Sequence, residues 1–304
     1  MNIHMICSTA GFPKSYVLPT NDFPYYKRRQ NDGALDSEGM HLSADPAADY
    51  PWANAILLVL YPYRPYPSDA IVSGYYPASN TSYFLGKDLI SLLSEQGVRA
   101  ERVYVPIREL AVRNGIGIPC KSGLTAFPDF GTRIIAHTFA VRLEEPFQFD
   151  SVDPSTLPVC SEECQCCIRA CPTHAIEPDG FSFQKCMRAY MKKEAMPRWA
   201  MESMRYLLGC EICQMVCPIN RGILIDRDVP DAFRLEKILD GEIQPALEIV
   251  GKNQKSGGKL IAHAIVLAAH QNRKDLIEKI SRYTDDSRAA VSCAAKYACE
   301  ILQQ

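Results

Sequence analysis

The chain has 304 residues, 33 basic against 35 acidic side chains, and a hydrophobic share of 47%. That length accommodates two or three domains with sizeable cores. A net charge of −2 without any Lys- or Arg-rich run argues against an electrostatic nucleic-acid or membrane surface, so neither partner is expected.

The elements can be taken in chain order. The opening MNIHMICSTAGFPK has no basic segment followed by an apolar one, so no secretory leader is expected and the chain reads as cytoplasmic. Residues 1 to 50 are rich in Pro, Asp, Tyr and Gly and predict loops with one short strand at most. AILLVLY, residues 55 to 61, is the longest apolar run; too short for a bilayer, it predicts a buried strand closed by Pro62 and Pro65. SNTSYFLGKDLISLLSEQG predicts an amphipathic helix capped within Ser79 to Ser82, with Leu85, Leu89, Leu92 and Leu93 on one face and Gly97 as its stop. A strand (VRAERVYVP), a short helix (IRELAVRNGIG) and a strand (TRIIAHTFAVRLE) follow, the alternation of an α/β domain. PRWAMESMRYLLG predicts a helix between the cysteine motifs. Beyond residue 230 three short helices with small contact residues resemble one and a half helical-repeat units.

Thirteen cysteines stand in the chain, and nine of them lie between residues 160 and 217. In a chain read as cytoplasmic, that density points to metal rather than disulfides. The first stretch, CSEECQCCIRACP, has the spacing Cys160-x3-Cys164-x2-Cys167-x3-Cys171-Pro172, and the second, CEICQMVCP, has Cys210-x2-Cys213-x3-Cys217-Pro218. Two-cluster ferredoxins use C-x2-C-x2-C-x3-C-P, with the fourth cysteine serving the other cluster. On that pattern one [4Fe-4S] cluster takes Cys160, Cys164, Cys167 and Cys217, and a second takes Cys171, Cys186, Cys210 and Cys213. The first gap is one residue longer than the pattern, and Cys166 is out of register, either surplus or a replacement for a neighbour. Structural zinc is the competing use of such thiols, but zinc sites pair two ligands per knuckle. Cys7, Cys120, Cys293 and Cys299 read as ordinary thiols. His137 reads as a satisfied core histidine, and His174 as a residue that covers a cluster.

The cysteine block resembles that of the epoxyqueuosine reductases and, more distantly, the reductive dehalogenases. DPAADYPWANAILLVLYPY (45–63), SGYYPASNTSYFLGKDLISLLSEQG and VPIRELAVRNGIGIPCKSGLTAFPDFGTRI (105–134) are similar to that family's stretches outside the cysteines, and the helical tail is similar too. The resemblance implies an α+β chain in three parts: an N-terminal α/β corrinoid-reductase-like domain over 1–150, a two-[4Fe-4S] ferredoxin-like domain over 151–228 and a helical, HEAT-like segment over 229–304. It implies an oxidoreductase in which a low-potential donor such as ferredoxin or flavodoxin loads the clusters and the clusters feed a corrinoid (cobalamin), with Lys121, Gly115 and Gly117 near it and Tyr76 or Tyr83 as the proton donor. The alternative is a corrinoid-free electron-transfer protein or a reductive activator of a partner. Three departures stand out. ERVYVPIRE lacks the family's aspartate, the family's GkN element reads Cys120-Lys121-Ser122, and its Tyr-His pair reads Tyr83-Phe84. They predict a small-molecule or nucleoside substrate other than epoxyqueuosine in tRNA.

Overall fold

The computed structural model describes residues 2–31, 42–193 and 195–304. The chain forms two compact units, one drawn from residues 1–63, 81–120 and 124–162, the other from 64–80, 121–123 and 163–304.

The first unit is built on β1 (Lys14–Leu18), β2 (Ala55–Pro62) and β3 (Arg99–Val103), then a small hairpin of β4 (Ile118–Pro119) and β5 (Thr125–Ala126), and finally β6 (Ile134–Arg142). The large sheet has the order β1-β2-β6-β3, and every pairing in it is antiparallel. The αβ alternation of residues 50 to 150 therefore builds an antiparallel sheet and not the parallel βαβ arrangement that such alternation first suggests. β2 is central, which explains its unbroken apolar run. Ile56, Leu58 and Leu60 pack on one side with Tyr16, Val103, Leu110 and Phe127, while Ala55, Leu57 and Val59 pack on the other with Cys7, Phe12, Leu89 and Phe139. A strand covered on both faces needs apolar side chains at consecutive positions rather than alternate ones.

Two expectations for this part of the chain are corrected. Among the first fifty residues lie helices Ile3–Thr9, Pro24–Asn31 and Pro46–Asp49 as well as β1. Helix Ile3–Thr9 is started by Asn2, whose side chain accepts from the backbone N–H groups of His4 and Met5. Its apolar face is carried by only a few residues, so no periodicity shows. The long helix is Tyr75–Glu95 and starts four residues before the predicted cap region. Ser73 Oγ accepts from Tyr75 N at 3.2 Å. Ser82 is a buried residue inside the helix whose Oγ lies 2.9 Å from His137 Nε2.

In the second unit, helices are short around the cysteines: Cys166–Ala170, Met187–Tyr190, Arg198–Ser203 and Ile212–Met215, with a two-residue hairpin of β7 (Ile176–Glu177) and β8 (Gly180–Phe181). The predicted 197–209 helix stops at Ser203 because Met204 turns extended and the Leu207 N–H donates to the Ile71 carbonyl instead. Helices Leu235–Leu239, Gln244–Val250, Lys259–His270, Ile277–Ser281 and Ala289–Leu302 follow. In Lys259–His270 every residue from Leu260 to Ala269 is buried, and its alanines let Ala289–Leu302 pack closely. Met187, Met191, Met201, Met204, Leu207 and Leu208 belong to the same core as Leu260, Ile265 and Val291. The cysteine segment and the helical tail, expected as separate parts at residue 228, thus share one core in the structure. Among the described residues no helix is long and apolar enough to cross a membrane.

Candidate metal centre

The two cysteine stretches fold into equivalent loops. Gln165, after Cys164, has φ −122° and ψ 13°; Glu211, after Cys210, has φ −123° and ψ 12°. Each is the N-cap of a short helix, and the two helices pack against each other. The loops leave through Cys171 (φ −69°, ψ 113°) and Cys217 (φ −73°, ψ 123°), each followed by proline. Cys164, Cys167 and Cys171 therefore correspond to Cys210, Cys213 and Cys217. Cys166 corresponds to Ile212, an apolar first residue of its helix, which gives the extra thiol of the first loop no counterpart among the thiols of the second.

The thiols proposed for the second cluster lie close together. Burial pushes Cys213 up to about 12, and Cys210, Cys186, Cys167 and Cys171 raise it further. Burial likewise takes Cys210 to about 12, with Cys186 and Cys171 beside it. Cys186 is raised by burial, opposed by the backbone N–H and the guanidinium of Arg188. Several N–H groups point at these sulfurs: Ala175 N lies 3.3 Å from Cys171 Sγ, and the backbones of Arg188 and Ile212 serve Cys186 and Cys210. Thiols whose charges oppose one another's ionisation are poor neighbours as free groups. They suit a polynuclear cation whose sulfur ligands accept backbone hydrogen bonds, and none of the thirteen cysteines is in a disulfide. Thiolates are the donors a [4Fe-4S] cluster takes, although among the described residues no three of these side chains are gathered as they would be around a metal ion.

The first loop is electrostatically different. Cys164 is lowered, first by the backbone N–H of Cys166 and further by Lys121 and Arg221. Lys121 Nζ also donates to the Cys164 carbonyl at 2.9 Å, so the one conserved-looking residue of the Cys120-Lys121-Ser122 element clamps a cysteine loop. Cys167 lies near Cys213. Cys160 sits half-buried in the last stretch of the first unit.

The other nominated residues are placed as follows. Gly115 (φ +63°) ends helix Ile107–Arg113 with open space around it. Gly117 lies so close to β5 that a Cβ would stand 2.9 Å from the Ala126 carbonyl oxygen, so its small size serves the hairpin. Tyr83 is an exposed residue over which the Arg102 guanidinium stacks at 4.9 Å. Tyr76 packs against Gly209, where a Cβ would come within 2.7 Å of its ring. His137 is a satisfied core residue, between Ser82 Oγ and Arg102 Nη1 (2.8 Å), and burial then the Arg102 charge lower it to about 4.

Sequence reasoning missed Ser73, Arg188 and Glu211. Glu211 is 2% exposed and accepts from Ser73 Oγ at 2.8 Å and from Tyr75 N at 2.9 Å. The available signal was an acid directly after Cys210 and a base two residues after Cys186.

Residues 160–220 match the family model of the 4Fe-4S double cluster binding domain. Together with the paired loops, this makes the chain an iron–sulfur redox protein. The resemblance read from the sequence is borne out: the chain is epoxyqueuosine reductase-like. It is 32% identical over 210 residues to an epoxyqueuosine reductase of Staphylococcus aureus, over 63% of this chain and 52% of that one, so the match spans about half the relative's length. Its fold is similar to that of a Bacillus subtilis epoxyqueuosine reductase whose catalytic aspartate loop is swung out of the active site (TM-score 0.75, 19% identity, 99% of this chain and 91% of that one). It is also similar to an epoxyqueuosine reductase with an epoxyqueuosine-modified tRNA stem loop (TM-score 0.76, 18% identity, 100% and 92%). At these identities the structures speak for the fold.

Proposed function

We propose that the chain is a two-cluster reductase of the epoxyqueuosine reductase type whose substrate is an epoxyqueuosine-bearing tRNA stem loop. The observation that carries the redox part is that the two cysteine loops repeat each other's backbone conformation and hold Cys171, Cys210 and Cys213, with Cys186 from the segment between them, within range of one another's charge. The substrate is supported by the relative solved with its modified stem loop. On this point the expectations of a different substrate and of no nucleic-acid partner are withdrawn.

When bound, four-thiolate clusters supply one-electron transfer at low potential and a corrinoid supplies a strongly reducing cobalt centre. The chain's own residues do the rest. Cys160, Cys164, Cys167 and Cys217 hold one cluster, and Cys171, Cys186, Cys210 and Cys213 the other. The N–H groups of Ala175, Arg188 and Ile212 donate to sulfur in the second set. Met187 and Met201 keep water from its ligand helices. Lys121 ties the first loop by its carbonyl. Reduction of an epoxide consumes protons as well as electrons, and residues 99–109 carry no aspartate, so Tyr76 and Tyr83 stay nominated as donors. The corrinoid rests on resemblance alone and no step is routed through it. A ferredoxin- or flavodoxin-like donor completes the scheme.

The test is anaerobic reconstitution of the full chain followed by reaction with a modified stem loop. About eight iron and eight sulfide per chain are expected, with conversion of the epoxyqueuosine base by a low-potential donor. Full cluster loading without conversion, with and without added cobalamin, would remove the substrate from the reading. A second reading, electron transfer without a corrinoid, is favoured by the engagement of Lys121 with Cys164. Cobalamin that stays with the chain through gel filtration would eliminate it.

A further inference from the structure

A segment without cysteines is woven through both ligand loops of the second cluster. Residues 71–76 contribute the Ile71 carbonyl to Leu207 N, Ser73 Oγ and Tyr75 N to Glu211, and the Tyr76 ring to Gly209, which precedes Cys210. Gly209 has φ +67° and no room for a Cβ, so this contact requires glycine on two counts. Against the same two tyrosines lies Arg188, two residues after Cys186. Its guanidinium carbon is 4.6 Å from the centre of the Tyr75 ring and 5.8 Å from that of Tyr76, and those rings meet edge to face at 5.4 Å.

Two features set Arg188 apart from a surface arginine stacked on an aromatic ring. Its Nε is buried and finds no hydrogen-bond partner among the described residues. A buried N–H without an acceptor is costly, and a sulfur-rich anionic group beside Cys186 is an acceptor the polypeptide alone does not provide. Among the described residues no carboxylate ion-pairs with it, whereas Arg198, Arg234, Arg273 and Arg288 each have one. The nearby acid, Glu211, is already committed to Ser73 and Tyr75.

We infer that Arg188 is the residue that sets the reduction potential of the second cluster: a fixed positive charge, held in place by Tyr75 and Tyr76, that favours the more negative, reduced state. Tyr75 and Tyr76 act as its platform. The inference rests on the ligand assignment above. Arginine suits the role because it stays charged when desolvated and stacks on aromatic faces.

The experiment is a redox titration, followed by electron paramagnetic resonance, of the reconstituted full chain and of Arg188→Gln and Arg188→Lys. Arg188→Gln is expected to keep about eight iron and to make one cluster about tenfold harder to reduce, about 59 mV for a one-electron couple, leaving the other unchanged. Arg188→Lys, which keeps the charge, is expected to shift less. Unchanged potentials in Arg188→Gln, equal shifts of both clusters, or a lysine variant that shifts or loses iron as much as the glutamine variant would each overturn the inference. A wild-type chain that takes up only one cluster would instead sink the ligand assignment.

Discussion

Strand β2 and the cysteine loops solve the same problem of order by opposite means. The eight residues Ala55–Pro62 pair along their length with β1 and β6 and are packed on both faces. The ligand helices have four to six residues and the adjoining strands two, too short to hold themselves by hydrogen bonding. Part of that deficit is met by the helical tail, whose core takes in Met187, Met191 and Met201. The loop from residue 160 to 171 contributes nothing to that core. The difference teaches that the first unit is ordered by burial and the ligand loops by cross-links, which in this chain means metal.

The largest effect that can test this contrast is on a ligand of the buried set. Cys213→Ala is expected to lose about four of about eight iron per chain and to open residues 163–228 to proteolysis, while β2 keeps its protection against amide exchange. Full retention of iron would break the comparison at its root. In the opposite direction, Leu58→Ala empties a fully buried position in β2 and should cost about 2–5 kcal/mol, read by denaturant unfolding of the first unit. Its folded fraction should carry the wild-type iron content.

The histidines sharpen the same division by pH. His137 in the first unit and His263 in the second are both lowered to about 4, each chiefly by burial. The unfolded chain, with ordinary histidines near 6.5, binds protons in the window between those values that the native state refuses. Stability therefore falls as pH drops through roughly 6.5 to 4 and levels off below, by roughly 3 kcal/mol per group. Trp52 fluorescence in a Trp199→Phe background reports the first unit, and His137→Asn should flatten its profile. The smallest effect is the most diagnostic of register. Cys166→Ser is expected to leave iron content unchanged, because its structural counterpart is Ile212. Iron loss there, with none in Cys160→Ser, would move the first ligand set by one thiol.

Much of the site was legible because metal coordination is local. Cys164, Cys167 and Cys171, like Cys210, Cys213 and Cys217, must come from tight loops at short spacings, and Pro172 and Pro218 mark where each loop is left. β2 was equally legible, since seven apolar residues in a row leave no face for solvent and Pro62 closes the run at strand length. The helix starting at Tyr75 was misplaced because its first N–H, that of Tyr75, is satisfied by Ser73 and by Glu211, the latter far away in sequence.

The sequence by itself determined that this is a two-loop iron–sulfur chain with one doubly covered strand, because both features are written in neighbouring residues. Only the tertiary structure decided that the tail completes the core of the cysteine segment, that Ser73 and Tyr75 meet Glu211, and that Arg188 rests on Tyr75 and Tyr76. Those contacts join residues tens to over a hundred positions apart, and no local spacing rule reports which distant side chain fills a given gap.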